Sequence, residues 1–187
     1  MRDTKDEIIH FWFEELEPQL WFQSTPEIDD DIRARFGVMV EMADDGLCNQ
    51  WSVDAAGCLA LVILLDQFPR HIYRGRPKAF ASDERALLMA KQAVHKGFDQ
   101  VLDVVKRGFL YLPFQHSENL SDQERSVSLY GAMQDENPTG FMYAQRHHEP
   151  VKLFGRFPHR NKILGRESTS EEVEFLETHG GFLEGRI

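Results

Sequence analysis

The run Cys58-Leu59-Ala60-Leu61-Val62-Ile63-Leu64-Leu65 carries eight consecutive apolar side chains. A helix made of such a run is apolar all round and must be covered on every side by other parts of the chain. From about Ala56 to Phe68 the segment is long and poor in turn residues, which favours a central buried helix closed by Pro69 over a buried strand. Eight apolar residues fall far short of the roughly 20 that cross a bilayer as a helix, so no membrane span and no membrane partner is expected.

The segments around it read as amphipathic helices with recognisable starts and stops. Thr4 with Glu7 has the capping-box pattern, followed by Ile8, Phe11, Trp12 and Leu16 at helical spacing, which predicts a helix over 5–16 ended by Pro18. Thr25-Pro26 reads as a cap and first helical residue, with Asp29, Asp30 and Asp31 at the positive end of the dipole and a stripe of Ile28, Ile32, Phe36, Met39 and Ala43 up to Gly46. Ser82 caps a helix over 83–96 that Gly97 stops, and 99–111 continues in the same style. Ser121 with Glu124 and Thr169 with Glu172 repeat the capping box, the last helix stopping at Gly180-Gly181. Residues 139–154 look helical but contain Pro150, which should kink the helix or start its second piece. No segment alternates as a strand. The expectation is therefore all-α, about eight helices in a single domain spanning 1–187.

Net charge is −10, and all of it lies in residues 1–60, which hold 14 acidic and 4 basic side chains; the rest holds 17 of each. This excludes general binding to nucleic acid. The acidic start lacks the basic region of a secretion signal, and Cys48 and Cys58 suit a reducing compartment as small apolar fillers, so a cytoplasmic location is expected. Two segments are purely basic: Arg70, Arg74, Arg76 and Lys78, then Lys152, Arg156, Arg160, Lys162 and Arg166. They coincide with an internal echo, 67–75 and 156–165, in which Phe-Pro breaks a helix and cationic side chains precede a glycine.

Several stretches carry a family likeness: Phe11-Trp12-Phe13, Trp21-Phe22, Leu65-Asp-Gln-Phe-Pro-Arg-His-Ile-Tyr-Arg-Gly75, Phe109-Leu-Tyr-Leu-Pro-Phe-Gln-His-Ser-Glu118, Phe154-Gly-Arg-Phe-Pro-His-Arg-Asn161 and Leu164-Gly-Arg-Glu-Ser-Thr-Ser-Glu-Glu172. From about residue 8 to 176 the chain resembles the bacterial domain-of-unknown-function family number nine hundred and twenty-four. The resemblance implies an all-α fold of tetratricopeptide-like helix pairs and implies no activity. The chain departs from the family pattern at His71, Gln115 and Pro150.

Arginine clusters without local acids recognise carboxylate or phosphate. Arg70, Arg74, Arg107, Arg156 and Arg160 are therefore candidate ligand-binding residues, with His71 and Asn161 as hydrogen-bond donors and Asp66 and Glu118 holding the cations. The competing reading is structural, with the same arginines consumed by internal carboxylates. His116 and His159 are candidate acid/base groups, with Glu118 orienting His116 and Ser117 as nucleophile. No metal site is expected from His116, Glu118, His147, His148, Glu149 and His159, since H-E-x-x-H is missing and adjacent histidines diverge by about 100° on a helix. Phosphate-loop and dinucleotide fingerprints are missing too, so no cofactor is expected. The aromatics Phe11, Trp12, Phe13, Trp21 and Phe22 read as core. The leading expectation is a helical protein binding an anionic small molecule or acidic peptide end in a cationic pocket between the Phe-Pro segments. The alternatives are a histidine-dependent hydrolase of a phosphoester or carboxylate substrate, and a protein-interaction scaffold whose acidic first 60 residues meet a basic partner.

Overall fold

The apolar run becomes the axis of the molecule. In the computed structural model, which describes residues 4–179, it lies in helix α3, Ala55–Ile72, and every residue from Gly57 to Ile72 is buried. By length and composition α3 could cross a bilayer, but 89% of it is covered by the rest of the protein. Its coat consists of α1 (Thr4–His10, continued by a π-helical turn Phe11–Glu15), α2 (Pro26–Asp44), α4 (Asp83–His95) and α5 (Val104–His116). Helices α6 (Leu120–Gly131) and α7 (Pro138–Phe154) follow, with α5 packing on α6 and α6 on α7. Helix α8 (Ser170–His179) docks on the short turn Pro158–Arg160. The result is all-α, eight helices with no strand among the described residues.

Pro69 does not close α3 as its position suggests. A proline inside a helix lacks an N–H and collides with the carbonyl four residues back. Here the turn before it, Ile63–Gln67, widens to π-helical bonding, with the Phe68 N–H donating to the Ile63 carbonyl, and the helix continues through Pro69 to Ile72. Such bulges gather at functional sites. This one presents Gln67, Arg70 and His71 to one cavity.

Caps divide between expected and corrected. Thr25 accepts from the Ile28 N–H, and Thr169 and Glu172 exchange both capping-box bonds, the Glu172 N–H to Thr169 Oγ1 at 3.3 Å and the Thr169 N–H to Glu172 Oε2 at 2.8 Å. Ser82 precedes α4 but spends its hydroxyl on Asp44 at 2.7 Å. Ser121 is not a cap; Asn119 is, its side-chain oxygen accepting from the Ser121 N–H at 2.9 Å, because α6 begins one residue before the serine. Residues 99–111 are not one helix: a turn at Phe98–Val101 ends before α5, and α5 then runs through Pro113 to His116 because buried Leu110, Tyr111 and Phe114 carry its core face across the proline. The segment around His116 is therefore a helix end. Helix α7 also runs through Pro150, and it stops at Gly155, whose φ of +69° only glycine adopts without strain. The predicted stop at Gly180-Gly181 and the extreme N-terminus, Met1 to Asp3, lie outside the described residues.

Phe109 of α5 anchors the segment joining α1 to α2. The rings of Trp12, Phe13, Trp21 and Phe22 surround it at centroid distances of 5.7, 5.3, 4.9 and 5.9 Å. Phe11 and Trp12 are core as expected, whereas Trp21 and Phe22 are half-buried and wall a cavity.

Candidate functional site

The two Phe-Pro segments, far apart in sequence, meet at Asp83, the first residue of α4. Arg70 of the first donates from Nη1 and Nη2 to both Asp83 oxygens at 2.9 and 3.1 Å, and Arg160 of the second donates from Nη1 to Oδ2 at 3.3 Å. Arg70 also lies 3.3 Å from the carboxylate of Asp66, which is fully buried and receives a bond from Gln67. His116 completes the network, its Nδ1 2.7 Å from Asp66 Oδ1.

Burial alone would raise the Asp66 pKa, but Arg70 and His116 outweigh it and hold the carboxyl below its ordinary range. An ionised carboxylate only accepts, so His116 carries its proton on Nδ1 and leaves a lone pair on Nε2. Burial, reinforced by Arg70, lowers the His116 pKa, and the imidazole is neutral near pH 7. His159 is pushed down to about 3 by burial and by neighbouring Arg160, His147 and His116.

Arg70, His116, His159 and Arg160 line a cavity of about 60 Å³ formed by α3, α5, α7 and the Pro158–Arg160 turn. Gln67, Arg70, His71 and Arg74 enter from α3 and the turn after it, Gln115 and His116 from α5, His147 from α7, and His159 and Arg160 from the second Phe-Pro segment. Trp21, Phe22, Phe80 and Leu112 supply the apolar wall. Arg160 is sandwiched between Phe80 and Phe157, its guanidinium carbon 4.7 and 4.6 Å from the ring centres. Two nitrogens here are buried without a hydrogen-bond partner, Arg160 Nε and His159 Nδ1. Leaving a buried polar group unsatisfied costs about 1–3 kcal/mol.

Arg70, His71, Arg74, His116, His159 and Arg160 thus converge, with Asp66 behind them. Other expected members do not. Arg107 is spent on the carbonyls of Asp99 and Leu102, at 3.1 and 3.0 Å, closing the turn before α5. Arg156 grips both oxygens of Glu172 at 2.6 and 2.8 Å, and Asn161 binds Ser168 and Glu172, so both fasten α8 rather than face the cavity. Glu118 does not orient His116; it takes two bonds from Arg166, at 2.7 and 2.9 Å, and one from the Phe157 N–H. Asp66 has the orienting role instead. Ser117 donates to Asp122 at 2.9 Å rather than to His116. Nor is the pocket an unbalanced cationic one. Asp66 and Asp83 match Arg70 and Arg160, and Arg74 pairs with Asp29 through two bonds while His71 meets the same carboxylate at 3.0 Å.

The sequence marks neither Asp83 nor Gln67 for this site, and it marks Gln115 only as a departure from the family pattern and His147 only among discounted metal ligands. Asp83 opens α4, where the helix dipole favours any acidic residue, and nothing local marks it as the bridge between two arginines. Among the described residues no group of three or more His, Cys, Asp or Glu side chains is placed to hold a metal ion.

No match is found among curated proteins. The chain is similar to the solved structure of a protein of unknown function, ATU0120 from Agrobacterium tumefaciens, with 37% identity over 93% of this chain and 97% of that one, and a TM-score of 0.87. The family model described as bacterial protein of unknown function, DUF924, matches residues 8–180. Across that length, which takes in the π-bulged helix, both Phe-Pro segments and the whole cavity, the chain belongs to the DUF924 family.

Proposed function

We propose that the protein binds a small molecule through a carboxylate or phosphate group seated in the cavity between the two Phe-Pro segments. The observation that carries this reading is the pair of buried, unpartnered nitrogens, Arg160 Nε and His159 Nδ1, on two residues that line a polar cavity. An oxyanion offers both of them acceptors, and with Nδ1 protonated His159 donates while staying neutral. The cavity suits one such group: a water needs roughly 10–15 Å³ of this kind of volume, so 60 Å³ holds a headgroup and not a nucleotide. The tetratricopeptide-like arrangement belongs to the same reading, the α4 to α7 stack serving as the rigid support of the site.

Thermal shift against phosphorylated and carboxylated metabolites tests it, with Arg160→Gln beside the unchanged protein. A ligand at 100 times its Kd adds about 2.7 kcal/mol, a rise of several degrees for a chain of this length. The hit should vanish in the variant, whose Asp83 keeps Arg70 as partner. A panel without a hit would overturn the reading.

A second reading rests on the Asp66–His116 contact of 2.7 Å. A neutral histidine oriented by a buried carboxylate is a competent general base, and it would draw a proton from water attacking a bound ester or phosphoester. Hydrolysis of p-nitrophenyl acetate or phosphate, abolished in His116→Gln with the fold intact, would support it; equal rates in both proteins would remove it.

A further inference from the structure

Beside the polar cavity lies a second, larger space of about 390 Å³, within the size range of small-molecule sites. Its wall is mostly apolar, with Val104, Val105, Phe109 and Leu112 of α5 along one side. The two spaces abut. Trp21, Phe22, Leu112 and Gln115 border both. Leu112 and Gln115 are three residues apart on α5 and therefore share a face, while Trp21 and Phe22 cover that face from the segment held down by Phe109.

We infer that the ligand is an amphipathic anion, its oxyanion in the polar cavity and an aliphatic or arylalkyl tail laid over Leu112 into the groove. The inference rests on the anion-binding reading above and specifies its ligand class. Three observations support this occupant. The polar cavity is too small for more than a headgroup, so the remainder of any larger ligand must leave it. The groove shares four bordering residues with the cavity and offers the tail an apolar bed. At its rim the groove carries exposed Glu136, which disfavours a second anionic group and so selects a monoanion with an uncharged tail. Gly108 lines the groove as well, and the nearest atom to a Cβ placed on it is Asn137 Nδ2 at 3.4 Å, so the missing side chain leaves room along α5.

The test is calorimetric titration of the full chain with acetate, butyrate, hexanoate and octanoate, with 1-hexanol as the uncharged control. Each buried methylene contributes about fourfold in Kd. Kd should fall by about that factor per methylene from butyrate onward, and hexanol should bind at least tenfold more weakly than hexanoate. Val105→Trp, an exposed position on the groove side only, should remove the chain-length gain and leave acetate unchanged. Acetate binding with no gain for octanoate overturns the inference and leaves the anion reading standing. No binding by any carboxylate overturns the inference, as does hexanol binding as tightly as hexanoate; the anion reading itself falls only if the phosphorylated compounds of the thermal-shift panel fail as well.

Discussion

Removing the Asp83 carboxylate would leave Arg70 and Arg160 facing each other in a buried site without their shared acceptor. Breaking such a network typically costs about 3–5 kcal/mol, so Asp83→Ala should lower the urea-unfolding free energy by that order. Asp31→Ala, on the exposed face of α2, should change it by less than about 0.5 kcal/mol. His159 sets a pH dependence. Its pKa is about 3 when folded and ordinary, 6.5, when unfolded, so below 6.5 the unfolded chain binds a proton that the folded one refuses. Its contribution is complete above pH 6.5 and is lost as pH falls from there toward 3, at about 1.4 kcal/mol per unit. Melting curves from pH 7 to 5 should show a steeper loss for the unchanged protein than for His159→Gln. The sequence singles out Arg70, His116, His159 and Arg160, which the fold brings to one cavity, but not their partners. Asp83 stands 77 residues from Arg160, and Asp29 stands 42 from His71, separations that no local pattern spans.

At the scale of elements, start signals were readable and interruptions were not. Thr25 and Thr169 cap as their spacing indicates, since capping is a contact over three residues. Ser121 misled because Asn119, an equally good acceptor, stands two residues earlier. Asn119→Ala should therefore cost about 1 kcal/mol and Ser121→Ala less than about 0.5 kcal/mol in thermal unfolding; the reverse order would restore the serine as the cap. Pro69 reads as a stop and Pro150 as a kink or a fresh start, yet both, like Pro113, lie inside a helix. Burial of the flanking apolar faces outweighs the local penalty, and at Pro69 a widened turn absorbs it. That turn also brings Asp66 and Arg70 to the site, so the least legible element is the one nearest the chemistry.

Across the whole molecule, the class of fold followed from one helix apolar on every side, because such a helix has to be enclosed. The arrangement around the cavity did not follow, for it depends on how α8 fastens the second Phe-Pro segment. Glu172 joins Arg156, Asn161 and the Thr169 N–H in one cluster, and Arg156 and Thr169 with their neighbours hold its pKa down to about 2. Glu172→Ala should therefore speed amide hydrogen exchange throughout Ser170–His179 and along 156–161 while leaving α3 protected, as exchange followed by mass spectrometry would show. The most direct test of the site is side-chain NMR of Arg160 Nε–H during titration with inorganic phosphate. A saturable shift is expected at Arg160 and at the His159 ring, with Arg107 and Arg156 unmoved; no shift at Arg160, or the same shift at every arginine, would contradict anion binding in this cavity.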